Sequence, residues 1–220
     1  MALKFGETKG SAIKEKVDQY VYKNGDNTVR IVGDLLPRYV YWVKGTNNKD
    51  IPMECLSFDR KKEKFTNMEK DWVREYYPDL KCGWAYACQV IDPSDGKVKV
   101  LNLKKKLLEQ ILVASEDLGD PTDPVTGWAV QFKRVKTGSQ VYNVEYQLQS
   151  LKCKKAPLSA EEVELVSKMK SIDELLPRPT EDAQKELLER IRKGNVEQDS
   201  EEGAEADTVI PADVESELDL

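Results

Sequence analysis

The 220-residue chain contains no histidine. That absence removes Ser-His-Asp and Cys-His catalysis, histidine metal sites, and the side chain that most often moves protons near neutral pH. The four cysteines, Cys55, Cys82, Cys88 and Cys153, include no C-x-x-C pair. Structural zinc usually takes its ligands in close pairs, so these read as small buried thiols of a reducing compartment. No window approaches the roughly 18 apolar residues of a membrane span. The opening MALKFGETKGSAIKEK also lacks the apolar stretch of a secretory signal. Acid–base chemistry would fall to carboxylates, yet Asp92, Asp95 and Glu109 sit in turn and helix patterns where solvation explains them. A magnesium-dependent nuclease therefore ranks last among the readings considered, and a soluble, cytoplasmic, non-enzymatic protein is expected.

Basic residues are absent from the last 24 positions, and this shapes the charge map. The net charge of −6 divides into +6 over residues 1–155, −2 over 156–196 and −10 over 197–220. A mildly basic body with an acidic tail is an asymmetry expected of nucleic-acid binders. The tail NVEQDSEEGAEADTVIPADVESELDL has no aromatic residue either, so it cannot bury enough surface to fold alone. It reads as disordered, with a small amphipathic end at Val214, Leu218 and Leu220.

What is present is strand grammar. TVRIVGDLL, RYVYWVK and PMECLSF are rich in β-branched and aromatic residues and bounded by Pro, Gly or Asn. CGWAYACQVI and KVKVLNL flank the turn residues Asp92 to Gly96 as a hairpin, with Lys97 and Lys99 alternating against Val98 and Val100. WAVQFKRV and VYNVEYQLQ form a second hairpin around Lys136-Thr137-Gly138. Helical spacing occurs at Leu107, Leu108, Ile111 and Leu112. It recurs at Phe65, Met68, Trp72 and Tyr76, and more weakly at Ile13, Val17, Tyr20 and Val21. Ser159 and Thr180 read as N-caps of two further helices, the first running to Leu176 and the second to Lys193, closed by Gly194. The expected fold is mainly β with added helices: an OB-type Greek-key barrel followed by C-terminal helices and the tail. The divisions are an N-terminal extension (1–27), a core (28–155) with a helical excursion (59–80), a helical region (156–196) and the tail (197–220).

Aromatics and cations interleave on these strands. Sequence-independent binding of single strands needs cations that track phosphates and aromatic faces on which bases stack. The candidates are Arg30, Arg38, Tyr41, Trp42, Lys44, Trp84, Tyr86, Lys97, Lys99, Phe132, Lys133, Arg134, Lys136 and Tyr142. Lys104, Lys105 and Lys106 join them because the macrodipole disfavours lysines at a helix start, where an anionic ligand would explain them. Barrel cores also consume aromatics, and at period two only alternate residues can face a ligand, so about half are expected to be core. The basic run Arg60, Lys61, Lys62 and Lys64 reads equally well as a phosphate contact or a solvated loop.

These pieces resemble, in order and spacing, the helix-destabilising single-stranded-DNA-binding proteins of T-even-like tailed bacteriophages. The resemblance rests on Val29-Arg30-Ile31, Tyr41-Trp42, Cys55, Trp84-Ala85-Tyr86 through Val90-Ile91-Asp92, Gly96-Lys97-Val98, the Lys104 to Ile111 helix, and Asp123-Pro124 to Gly127 leading to Phe132-Lys133 and Tyr142. It implies an OB-fold cleft, coating of single strands in phage replication, recombination and repair, and an acidic end that recruits replication and recombination proteins. Here that end would act through Asp213, Glu215, Glu217, Leu218, Asp219 and Leu220. It also implies a zinc subdomain with one histidine and three cysteines. Tyr41 stands near the histidine's place and only Cys55 precedes Cys82, so no metal and no cofactor are expected. The family's basic N-terminal motif is not recognisable in Lys4, Lys9, Lys14 and Lys16, which leaves self-association on DNA open. The competing reading is a protein-interaction adaptor that uses the barrel as a scaffold.

Overall fold

In the computed structural model the described residues are 17–45, 50–139 and 143–194, without the side chains of 84 and 85. Tyr142, the N-terminal lysines, Ile13 and all six partner-binding candidates of the tail lie outside them. The elements are β1 (Gly25–Lys44), β2 (Asp50–Glu54), β3 (Phe58–Asp59), β4 (Lys64–Phe65), α1 (Trp72–Tyr76), β5 (Gly83–Asp92), β6 (Lys97–Leu103) and α2 (Lys105–Leu118). They continue with β7 (Val130–Lys136), β8 (Val144–Leu148), α3 (Ala160–Lys168), α4 (Ile172–Leu175) and α5 (Glu181–Arg192). No helix among the described residues is long and apolar enough to cross a membrane.

The main sheet is antiparallel, ordered β6-β5-β1-β7-β8, with β2 on the far end of β1. β1 serves three partners in turn: β7 along Gly25–Val29, β5 along Arg30–Val40 and β2 along Val40–Lys44. It manages this by bending at a bulge between Val32 and Leu35, where Gly33 has φ +73, a conformation that costs glycine little. One core draws on both ends of the strand order, Leu101 and Leu103 of β6 and Tyr146 of β8, and closes against Leu107, Leu108 and Ile111 of α2. The sheet therefore curls round a shared interior as a barrel does, although β6 and β8 do not pair.

Both outer edges are covered. Residues 18–20 run beside β6, with Tyr20 N–H donating to Val100 O and Val100 N–H to Asp18 O, each 2.8 Å. These residues form a strand-like bridge, not the helix face expected of Val17, Tyr20 and Val21. At β8 the side-chain amide of Gln110 does the work of a strand: it donates to Tyr146 O (3.1 Å) and accepts from Leu148 N–H (2.7 Å).

A second core forms the lobe. Tyr41, Val43, Met53, Cys55, Phe58 and Val73 pack with Leu188 and Ile191 of α5. The expected helix at 59–80 shrinks to the five residues of α1, capped by Asp71, because Phe65 belongs to the short β3–β4 hairpin. Met68 is exposed, so bracing comes from α5 instead. The expected single helix from Ser159 to Leu176 is two, α3 and α4. Each begins with a capping box, Ser159 with Glu162 and Ser171 with Glu174, and Met169 ends the first. α5 follows its Thr180 cap as expected.

Arg30 fastens the segment after α2 to the barrel. Its guanidinium donates to the carbonyls of Ala156 (2.9 Å), Ile31 (2.8 Å), Pro121 and Asp123. Gly127 lies against that guanidinium, and a Cβ there would overlap both Arg30 Nη2 and Asp123 O. Gly127→Ala should therefore lower stability by about 1–3 kcal/mol, the usual cost of overpacking. A thermal midpoint equal to that of the wild type would refute the tight fit.

Candidate nucleic-acid interface

Register sorts the predicted residues into two faces, since directly paired residues share a face. Arg38, Trp42 and Lys44 lie on one face of β1 with Leu36 and Val40. Much of that face is covered: Leu36, Ala87 and Val100 pack under Ile172, Leu175 and Leu176, and Gln89 Nε2 donates to Lys170 O (3.0 Å). Beyond the cover Arg38 bonds Asn102 Oδ1 (2.7 Å), Trp42 is half-buried, and Lys44 is exposed beside Asp50 (3.1 Å).

The other face carries Pro37, Tyr39, position 84, Tyr86 and Leu103, joined by the pairs Pro37–Tyr86, Tyr39–Trp84 and Tyr86–Leu103. It bridges the two cores, for Tyr39 packs on the lobe and Tyr86 on the barrel, each half-buried. Rings continue from both ends. Phe58 and Phe65 lie 4.7 Å from Tyr39, and Tyr22, which packs like Tyr86 on the barrel core, lies 4.8 Å from Tyr146 and 5.7 Å from Phe132. Tyr39 lies among the aromatics between Arg38 and Lys44, but neither it nor Tyr22 or Phe65 was among the contact candidates drawn from the sequence. The signal available was parity with position 84 for Tyr39. None existed for Tyr22, which reaches its place through a hydrogen bond from its hydroxyl to Asn102 O (2.7 Å).

Cations gather where this row leaves the sheet. Leu103, the partner of Tyr86, is followed at once by Lys104, Lys105 and Lys106 at the start of α2. That first turn has no acidic residue and no side-chain cap, so three lysines face the positive end of the helix dipole, an arrangement favourable to an anion. Lys133 and Lys136 are exposed on β7, and Arg134 bonds Asn24.

Four sequence candidates are corrected by burial or pairing. Phe132 (0% exposed) and Tyr41 (2%) are core residues, and a ring without open surface cannot stack on a base. Arg30 is buried and committed to carbonyls. Lys99 bridges Asp92 (2.7 Å) and Asp95 (2.8 Å) with its side chain 17% exposed, so of the expected outward pair only Lys97 is open to solvent. Burial draws the Asp92 carboxyl upward, but hydrogen bonds from Lys99 and Ser94 and the Lys99 charge outweigh it, leaving a pKa of about 2. Asp92 and Asp95 thus hold a lysine in place.

The residues at the expected metal position form a closed polar cluster. Tyr41 Oη lies 3.4 Å from Cys55 Sγ and donates to Asp71 Oδ2 (3.3 Å), which also accepts from Leu56 N–H (3.0 Å). Burial raises the Tyr41 phenol. The hydrogen bond with Cys82, with burial added, raises the Cys55 thiol, and Cys82 is correspondingly lowered. Among the described residues no three His, Cys, Asp or Glu side chains converge so as to hold a metal ion.

Fold and site together define a mainly antiparallel, barrel-like protein with aromatic rings on a strand face that leads into three lysines at a helix start. A curated protein of Escherichia phage T5, described as "Probable ssDNA-binding protein", is 29% identical to this chain over 234 aligned residues, covering 91% of each. No family model matches the chain, and no solved structure matches it.

Proposed function

We propose that this chain is a non-enzymatic, sequence-independent single-stranded-DNA-binding protein of phage type, built on an OB-like barrel. The observation that carries the reading is the pair of rings Tyr39 and Tyr86, on the strand face that leads through Leu103 into Lys104–Lys106. Half-buried rings offer faces to bases, each stack contributing about 1–3 kcal/mol, while the lysines and helix N-terminus take phosphate. Duplex is excluded because its bases are not available to stack. The phage relative, matched along nearly its whole length, supports the same reading. Coating of single strands in replication, recombination and repair within the host cytoplasm follows as the biological role. The tail from 197 would serve as gate or recruiter.

Titration of intrinsic tryptophan fluorescence with oligo(dT) tests this. Quenching is expected, with affinity falling steeply as salt rises and with duplex ineffective. No quenching and no salt-sensitive association at low ionic strength would favour the adaptor instead. Removal of residues 197–220, which carry −10, should tighten binding at low salt. Unchanged affinity there would reject a gating tail.

A further inference from the structure

Phe65 is the one aromatic among the strongly exposed large apolar residues described, at 49%. Helical spacing in the sequence placed it in the helical excursion expected at 59–80. It stands instead on the two-residue strand β4, paired with Phe58 at the end of the hairpin away from its loop, Arg60 to Glu63. An aromatic ring left half in water on a two-stranded hairpin costs apolar exposure that a lysine there would avoid.

The surroundings give that ring a partner class. Lys61, Lys62 and Lys64, all within four residues of it, are exposed, as is Met68 at 80%. Their counter-charges are Asp59, 3.4 Å from Lys62, and Glu63. Arg60, fourth of the basic run, is spent elsewhere: it holds buried Glu54 through bonds of 2.6 and 2.5 Å and reaches Leu176 O at 3.0 Å. Arg178 donates to Phe58 O (2.8 Å) and Leu56 O (2.7 Å). The hairpin is thus fixed at its base, where Phe65 exposes its ring, while Lys61 and Lys62 of the loop and Lys64 beside it are exposed. Edge contact with Tyr39 at 4.7 Å places the ring at the lobe end of the row described above.

We infer that the β3–β4 hairpin is a second contact for single-stranded DNA, in which Phe65 stacks a base beyond Tyr39 and Lys61, Lys62 and Lys64 take the adjoining phosphates. This rests on the single-strand reading and extends its path from the barrel onto the lobe. The two requirements of such binding, a π face and flanking cations, coincide here within five residues and outside the segment from which the reading was drawn. The experiment uses the full chain and a labelled oligo(dT), with Phe65→Leu and the triple variant Lys61→Gln, Lys62→Gln, Lys64→Gln. Leucine keeps the apolar contact with Tyr39 and Phe58 but removes the stacking face.

Phe65→Leu should leave the thermal midpoint unchanged while weakening binding between about fivefold and 150-fold, the range for one lost stack. The triple variant should lower the log–log salt slope by about 2, for three single-strand phosphate contacts at roughly 0.7 each. Binding by both variants with wild-type affinity and slope overturns the hairpin contact and leaves the barrel reading standing. Failure of the wild-type chain to bind oligo(dT) overturns both.

Discussion

Replacing Leu188 by alanine should lower the thermal midpoint by roughly 10 °C, through loss of about 3 kcal/mol in a domain of this size. Leu188 is wholly buried, and with Ile191 it supplies the α5 side of a core whose other members come from β1, β2, β3 and α1 and include Cys55 just after β2. Buried Leu→Ala changes cost about 2–5 kcal/mol, the upper part where neighbours cannot collapse into the space. Collapse is obstructed here because Gln184, one turn earlier, ties α5 to the same wall. It donates to Glu54 O (2.9 Å) and accepts from Trp72 N–H (2.7 Å). The barrel core contains no residue of α5. Near-ultraviolet circular dichroism should therefore lose the lobe's signal first, around Tyr41 and Trp72, ahead of the sheet. A midpoint within about 2 °C of the wild type would show that α5 rests on the lobe without completing it.

The second large effect is expected at Arg60. The Glu54 side chain is only 6% exposed, and Arg60 grips both its oxygens, with Arg178 at 3.8 Å as a weaker companion. Removing one member of a buried ion pair costs about 3–5 kcal/mol because the other charge stays behind, uncompensated. Arg60→Met should approach that figure, worsened by the loss of its bond to Leu176 O. Adding Glu54→Gln should restore much of the stability, since a neutral amide no longer carries the desolvation penalty. Equal midpoints for the single and double variants would place the cost in packing and not in the stranded carboxylate.

Local elements were legible where local chemistry decides them. The β5–β6 hairpin follows from alternation on each side of a turn whose Gly96 takes φ +69. α5 follows from Thr180 and Gly194. The break between α3 and α4 was equally written in Ser171 and Glu174, but the apolar spacing running through it masked the second capping box. The site was less readable, for reasons of geometry. Parity assigns faces only while a strand is regular, and the bulge at Gly33 resets it midway along β1. Which face stays open depends on where Ile172 and its neighbours land, some 80 residues downstream of β5. Tyr41 and Tyr39 are both tyrosines of one strand. One hydroxyl happens to meet Asp71 inside the lobe, while the other ring stays at its rim.

The glutamine that α2 lends to β8 bears on how many copies can share one place. An unguarded antiparallel edge grows by adding strands, and crowding of identical chains, whether along one polynucleotide or in an expression host, speeds that growth. Gln110 saturates Tyr146 O and Leu148 N–H, two of the edge groups to which a neighbour's strand would otherwise pair. One side chain thus occupies two of the groups through which a further strand would extend the sheet.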